Sequence, residues 1–152
     1  MHHGARSQLA YAVKLADGLI SWKSAKSRCV LLSSTEAEYV AISELGREMQ
    51  AIKNIYEALG VPLKLPMTIY EDNLPTIHLC VSDVYSNRSK HIDVKHHYIR
   101  ELVNDGIVDI QHIDTKKQLA DLLTKGLSPQ VFFKFRSEMG MRSWTQVRRD
   151  TE

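Results

Sequence analysis

One long amphipathic segment constrains the fold of this 152-residue chain more than any other feature. Between residues 35 and 59, apolar side chains recur every three or four positions, the spacing of one helix face. They are Ala37, Val40, Ala41, Leu45, Met49, Ile52, Tyr56 and Leu59. Ser33 with Glu36 forms a capping box at the start, or Thr35 with Glu38 does. The sequence therefore predicts a long helix whose apolar face packs against other elements.

Shorter apolar runs on both sides of this helix predict strands and further helices. Two or three antiparallel strands come first, over residues 9–15, 19–22 and 29–32, with a hairpin turn at Ala16-Asp17-Gly18. After the long helix we expect a strand at 67–70, helices at 75–81 and 93–104, a strand at 107–113, a helix at 117–125 and a short helix from Ser128. This order predicts one α/β domain with a mixed sheet flanked by helices.

The composition excludes several classes of protein. The chain is 43% hydrophobic and 25% charged, which is typical of a globular domain and argues against global disorder. A net charge of +2 argues against a purely electrostatic binder of nucleic acid. No apolar run approaches the roughly 18 residues of a membrane span, and two cysteines make no disulfide framework. We therefore expect a cytoplasmic or nuclear protein with reduced thiols and no membrane partner.

Three carboxylates lie where the predicted helices and strands begin or end. Glu38 lies near the start of the long helix, Asp72 follows the strand at 67–70, and Asp121 lies early in the helix at 117–125. Converging carboxylates can hold Mg²⁺, which serves phosphodiester hydrolysis by activating water and stabilising the leaving oxygen. Each also has a structural explanation, since helix starts favour Glu38, Asp72 with Asn73 can cap a helix, and Asp121 can face solvent. The spacing alone leaves both explanations open.

A second polar segment is rich in histidine and in basic residues. Its histidines and acid are His91, Asp93, His96 and His97, and its bases are Arg88, Lys90, Lys95 and Arg100. A zinc site formed by His91 with His96 or His97 is one hypothesis, but no cysteine lies nearby and the spacing matches no zinc pattern. A surface that faces phosphates suits these residues better, and a solvated helix face is the alternative.

Four short motifs occur in a fixed order along the chain. They are SSTEAEY at 33–39, YEDN at 70–73, SKHID at 89–93 and QLADLLTK at 118–125, preceded by ISWKS at 20–24. Together they closely resemble the ribonuclease H domain of the Pol polyproteins of copia-type LTR retrotransposons. The resemblance extends over nearly the whole chain, from about residue 7 to about residue 141.

The resemblance implies a fold, an activity and a set of partners. The fold is ribonuclease H-like, with a mixed five-stranded sheet, and the activity is hydrolysis of the RNA strand of RNA/DNA hybrids during reverse transcription. The implied cofactor is a pair of Mg²⁺ or Mn²⁺ ions held by four carboxylates. The implied partners are an RNA/DNA hybrid and a reverse transcriptase domain upstream in the polyprotein. If the chain is part of an active element, the location is a virus-like particle.

The same resemblance assigns roles to particular residues. Glu38, Asp72 and Asp121 correspond by motif to three of the four catalytic carboxylates, and Glu36 is left to capping or solvent. The residues implied to contact nucleic acid are Asn73, Arg88, Lys90, His91 and Lys95.

The fourth family carboxylate has no counterpart in this sequence. In the family it lies on a strand upstream of the one matched by residues 9–15, and Asp17, the only acid before Glu36, lies in a turn. We therefore expect a ribonuclease H-like domain over 9–127 without its first strand, after a disordered tail or tag remnant over 1–8. Residues 128–152 form a C-terminal helix and tail. The sheet edge thereby exposed suits closure by a second copy in a homodimer.

Two functions are compatible with these observations. The first is a ribonuclease H domain whose hybrid cleavage is weak or absent in this chain. The second is a non-catalytic module, decayed or domesticated, that binds nucleic acid or protein. The absent first aspartate favours the second, whereas the three retained carboxylates favour the first. Whether an artificial truncation, decay or domestication removed the strand stays open at this point.

Overall fold

The computed structural model describes residues 7–27, 31, 33–82, 98–144 and 147. Its strands are β1 (Gln8–Leu15), β2 (Gly18–Lys26), β3 (Met67–Glu71) and β4 (Val108–His112). Its helices are α1 (Ser34–Ala58), α2 (Leu74–Val81), α3, described over residues 98–104, and α4 (Pro129–Glu138). Two short 3₁₀ segments, Thr115–Lys117 and Leu119–Leu123, lie between β4 and α4. The predicted mixed α/β class is confirmed.

Two compact units share these elements. Unit 1 comprises the described parts of residues 1–9 and 26–118, and unit 2 comprises those of residues 10–25 and 119–152. The described strands pair as two two-stranded sheets, β1 with β2 and β3 with β4, where the sequence predicts one mixed sheet. No helix in the described ranges is long and apolar enough to cross a membrane.

Helix α1 is the central element of unit 1. Of the predicted apolar face, Ala37, Val40, Leu45 and Met49 are buried, whereas Ala41, Ile52 and Tyr56 are only partly buried. Tyr39 and Ile42, which were not predicted to be on this face, are buried as well. Ala37 and Val40 form a core cluster with Leu9. Leu59 is 70% exposed and follows the helix, so its predicted place on the apolar face is wrong. Helix α1 ends at Ala58, and Leu59, its C-cap residue, faces solvent.

The start of α1 has the predicted cap. Ser33 has extended backbone geometry, and its Oγ accepts a hydrogen bond of 3.2 Å from the Glu36 backbone N–H. A side-chain acceptor at this position satisfies a helical N–H that has no partner within the helix. Of the two N-caps considered, Ser33 and Thr35, Ser33 is therefore the one in place.

Replacing Ser33 with alanine is expected to lower the free energy of unfolding by about 1 kcal/mol, because the Glu36 N–H loses its acceptor. Urea unfolding followed by circular dichroism measures this loss. Ser34→Ala is the matched control, since Ser34 is exposed and is the first helical residue. It should change stability by less than about 0.5 kcal/mol. Equal losses in both variants would contradict the capping role of Ser33.

Strands β3 and β4 pair in parallel, with Ile69 opposite Ile110. Ile69 and Val108 are almost fully buried, as expected for strands covered by helices. Helix α2 contacts both strands and also α1. Gly46 allows α1 and α3 to pack closely, because a Cβ there would lie 3.0 Å from a methyl carbon of Ile99 and of Leu102. These contacts fix α1 and α2 around the end of β3.

Unit 2 contains most of the β1–β2 hairpin, whose two-residue turn is Ala16-Asp17. Both residues have positive φ, 47° and 64°, which is the geometry of a type I′ turn. The predicted hairpin is confirmed, although the left-handed positions are not at Gly18. Within the same unit the Leu19 backbone N–H donates to the carbonyl of Met139, which is buried after α4. The hairpin and α4 are thus joined within unit 2.

The predicted helix at 117–125 is wrong. The chain instead forms the two 3₁₀ segments, separated by Gln118, whose ψ of 97° is not helical. The predicted capping box at Thr115 and Gln118 is replaced by Asp114, whose side chain accepts from the Lys116 N–H at 2.8 Å. Asp114 lies one residue before the predicted cap, Thr115, and begins only the three-residue segment Thr115–Lys117. The proposed third strand at 29–32 and the start of the helix at 93–104 lie mostly outside the described residues.

Candidate metal centre

Three carboxylates of unit 1 converge where β3 ends. The side chains of Glu38, Glu71 and Asp72 each offer an oxygen, and these oxygens lie within 4.8 Å of one another. Glu38 comes from the second turn of α1, Glu71 is the last residue of β3, and Asp72 follows it directly. Ligands in α/β folds commonly bind at the carboxyl ends of strands, which is where this cluster lies.

Glu71 is the buried member of the cluster, only 6% exposed. Its Oε1 accepts a hydrogen bond of 3.0 Å from the Asn73 backbone N–H. The pKa of Glu71 is raised from its ordinary 4.5 to about 7, mainly by burial and to a smaller extent by the negative charges of Glu38 and Asp72, against the lowering effect of the Asn73 N–H. This carboxyl therefore keeps its proton to a higher pH than an exposed glutamate does.

Glu38 is held by donors from the start of α2. Its Oε2 accepts hydrogen bonds from the Thr76 hydroxyl, at 3.0 Å, and from the Asn73 side-chain amide. Asn73 is also the N-cap of α2, since its Oδ1 accepts from the Thr76 backbone N–H at 3.4 Å. One residue thus begins a helix and contacts two of the three carboxylates.

The structure places Glu38 and Asp72 together, as the sequence predicts for a shared site. Asn73, predicted to contact nucleic acid, lies beside them and donates to Glu38. Sequence reasoning missed Glu71, although a signal was present. Strand side chains alternate between faces, so Glu71 shares the face of the buried Ile69. A carboxylate at an inward strand position is unusual and is itself an indication of a site.

Asp121 lies in unit 2, in the 3₁₀ segment Leu119–Leu123. It is half-buried, and the Lys125 ammonium lies 2.9 Å from its carboxylate. Its role as a third catalytic carboxylate stays a prediction. Arg88, Lys90, His91 and Lys95 lie outside the described residues, as do the histidines of the zinc hypothesis.

The donor set of the cluster fits a hard divalent cation. All three members offer carboxylate oxygens, which Mg²⁺ and Mn²⁺ prefer over the nitrogen and sulfur ligands typical of zinc sites. Acidic groups this close repel one another, which contributes to the raised pKa of Glu71 beside the larger effect of burial, and a cation between them would relieve that repulsion. The cluster can therefore bind a metal ion.

Cys80 lies in α2 and takes no part in this chemistry. It is fully buried and free of disulfide bonds, as predicted. Burial raises its pKa to about 12, with a further contribution from the negative charge of Glu71. A thiol with so high a pKa stays protonated and is a poor nucleophile or metal ligand at neutral pH.

Known proteins similar to this chain are named as Pol or Gag-Pol polyproteins of transposons. The retrovirus-related Pol polyprotein from transposon RE1 of Arabidopsis thaliana is 42% identical over 131 residues, 86% of this chain. That from transposon TNT 1-94 of Nicotiana tabacum is 38% identical over 91% of this chain, and the Transposon Ty1-DR5 Gag-Pol polyprotein of Saccharomyces cerevisiae is 29% identical over 84%.

The matched segment is a small part of each relative. The chain covers 9% of the RE1 polyprotein, 10% of the TNT 1-94 polyprotein and 7% of the Ty1-DR5 polyprotein. No protein-family model and no solved structure matches the chain. The predicted kinship is nevertheless confirmed by identities of 38–42% over most of the chain. Over most of its length, the chain is therefore homologous to one segment of the Pol polyproteins of copia-type retrotransposons.

Proposed function

We propose that this chain is a ribonuclease H-like domain of a retrotransposon Pol polyprotein, with a divalent-cation site that serves hydrolysis of the RNA strand in RNA/DNA hybrids. The observation that carries the proposal is the convergence of Glu38 and Asp72 at the end of β3. Both lie in the motifs that resemble ribonuclease H, and the chain is related to Pol polyproteins over most of its length.

The chain's own residues would hold the ion and keep its ligands in place. Glu38 and Asp72 are the proposed ligands, and Glu71 is the buried third carboxylate of the same cluster. Asp121 is proposed as a further ligand because of its motif alone. When bound, one or two Mg²⁺ or Mn²⁺ ions supply activation of a water and stabilisation of the leaving oxygen. Glu71 adds a buried carboxyl that can release its proton when a divalent cation binds at the site.

The proposed substrate is an RNA/DNA hybrid, and the proposed neighbour in the polyprotein is a reverse transcriptase domain. Arg88, Lys90, His91 and Lys95 are the proposed contacts with the phosphate backbone. Basic side chains position a nucleic acid through its phosphates without reading its sequence, which suits an enzyme that must act along a whole transcript.

The test is cleavage of a labelled RNA/DNA hybrid by the 152-residue chain in Mg²⁺ or Mn²⁺. Any metal-dependent cleavage should fall by about 100-fold or more in Glu38→Gln and in Asp72→Asn, because each loses a charged ligand. Asp105→Asn is the matched control, since Asp105 is an exposed acid after α3 and should leave cleavage unchanged. Cleavage that survives Asp72→Asn at the parent rate would exclude this site.

The second candidate function is a non-catalytic module that binds nucleic acid. The specific observation in its favour is that Asn73 and Thr76 donate hydrogen bonds to a Glu38 oxygen. The raised pKa of Glu71 also allows this carboxyl to be neutral. The cluster therefore does not require a cation to be stable. This function predicts salt-sensitive binding of the hybrid with no metal-dependent turnover. The cleavage assay and a binding titration, run on the same preparation, separate the two functions.

A further inference from the structure

The first turn of α2 makes hydrogen bonds to two carboxylates of the cluster. Asn73 donates its backbone N–H to Glu71 Oε1 at 3.0 Å and its side-chain amide to Glu38 Oε2. Thr76, three residues later, donates its hydroxyl to the same Glu38 oxygen at 3.0 Å. Glu38 and Glu71 come from different elements, α1 and β3, so α2 links them.

The burial of Thr76 makes its hydroxyl an informative group. Thr76 is fully buried, with 0% exposure. A buried hydroxyl is costly unless it makes a hydrogen bond, and valine would fill nearly the same volume without that cost. The hydroxyl of Thr76 is directed at Glu38, a carboxylate of the candidate metal centre. Its presence at a core position therefore needs an explanation that involves the cluster.

We propose that Asn73 and Thr76 are positioning residues of the cation site, which hold the Glu38 carboxylate in the orientation that binds a divalent metal ion. This inference rests on the proposed function. Ligating carboxylates in metal sites are generally oriented by hydrogen bonds from neighbouring groups, and losing such a partner typically costs 10–100-fold in metal affinity. Two donors on one oxygen restrict a side chain that would otherwise rotate about three bonds.

A merely structural role for Thr76 predicts a different outcome. If its hydroxyl only fills the core, Thr76→Val should change the stability of the fold and leave metal affinity alone. If it positions Glu38, the variant should bind metal more weakly even where it folds as well as the parent. Metal affinity in the absence of nucleic acid is therefore the deciding measurement.

The experiment measures Mn²⁺ binding to the full chain by isothermal titration calorimetry or by the electron paramagnetic resonance signal of the Mn²⁺ that stays unbound. Thr76→Val should weaken binding by about tenfold. Thr76→Ser keeps the hydroxyl and should restore most of the affinity. Thr68→Val is the matched control, because Thr68 lies on the opposite face of β3 from Glu71 and should bind Mn²⁺ like the parent.

A second variant keeps the inference testable if Thr76→Val does not fold. Asn73→Ser retains an oxygen that caps α2 but loses the amide that donates to Glu38. Its helix content should equal that of the parent, and its Mn²⁺ affinity should fall by about tenfold. Parent-like affinity in both Thr76→Val and Asn73→Ser, or in the one that folds, overturns the inference.

Glu38→Gln separates this inference from the proposed function. If Glu38→Gln abolishes Mn²⁺ binding and the α2 variants do not weaken it, the metal site stands and the positioning role is wrong. If Glu38→Gln binds Mn²⁺ as the parent does, the proposed metal site is wrong and the positioning role falls with it. Loss in Glu38→Gln with partial loss in Thr76→Val and recovery in Thr76→Ser is the result we expect.

Discussion

Met49→Asp is expected to lower the free energy of unfolding by about 4 kcal/mol, a large part of the stability of a domain of this size. Met49 is 7% exposed and lies on the buried face of α1. An ionised carboxylate at this buried position loses its hydration, and the core also loses the packing of the methionine side chain.

Urea unfolding monitored by circular dichroism measures this loss. Ala51→Asp is the matched control, because Ala51 is exposed on the same helix two residues later. It should cost under about 1 kcal/mol, since it changes only helix propensity and solvent-exposed charge. Met49→Leu, which keeps an apolar side chain of similar size, should cost less than about 1.5 kcal/mol. A Met49→Asp protein as stable as Ala51→Asp would place Met49 outside the core.

The second large effect is a loss of stability as the pH rises, caused by Glu71. Below pH 4.5 this carboxyl is protonated in the folded and the unfolded chain, and it contributes no difference. Between pH 4.5 and about 7 the unfolded chain releases the proton first, so the free energy of unfolding falls as the pH rises. Above about pH 7 the full effect, about 3 kcal/mol, is present.

Glu71→Gln should remove this dependence. With divalent cations chelated, the variant should be more stable than the parent at pH 8 and should lose that advantage at pH 4. The direction follows because glutamine cannot ionise, although it keeps the shape of the side chain and an oxygen for the Asn73 N–H. Glu101→Gln, at an exposed position of α3, is the control and should leave the pH dependence as it is in the parent. Equal pH curves for parent and Glu71→Gln would contradict the raised pKa.

The elements that the sequence predicted well are those specified by local signals. Helix α1 was expected to begin near Thr35 and spans Ser34–Ala58, because its apolar periodicity is uninterrupted and Ser33 provides a cap. The hairpin was predicted by its turn, where Ala16 and Asp17 take the two left-handed positions. Both signals act within a few residues, so a single sequence contains them in full.

The elements that the sequence did not predict depend on competing or distant contacts. The apolar stripe at 119–123 suggested an α-helix, but Asp114 caps only a short 3₁₀ turn and Gln118 has non-helical backbone geometry. The side-chain amide of Gln118 donates a hydrogen bond to the Tyr70 backbone carbonyl. That hydrogen bond joins residues 48 positions apart. Pattern reasoning within a window of neighbouring residues does not include such a competitor.

The candidate site was predicted in part for the same reason. Glu38 and Asp72 were identified through motifs and through the position of Asp72 after a strand, and the structure brings them together with Glu71. Glu71 belongs to the same YEDN motif, but its part in the site depends on its inward position on β3, which the motif does not state. The hydrogen bonds from Thr76 and Asn73 to Glu38 join residues 38 and 35 positions apart, and no periodicity encodes them.

The close approach of α1 to α3 at Gly46 bears on the position of Glu38, which lies on the same helix. Gly46 lies eight residues after Glu38, about 12 Å further along the axis of the same helix. A Cβ at this position would lie 3.0 Å from the terminal methyl carbons of Ile99 and Leu102, so those side chains would have to give way by a few tenths of an ångström, and a larger side chain would push α1 away from α3. Such a displacement of α1 would move Glu38 relative to Asn73 and Thr76, its hydrogen-bond donors at the start of α2. A residue without a side chain thus helps to keep Glu38, two helical turns away, within reach of these donors.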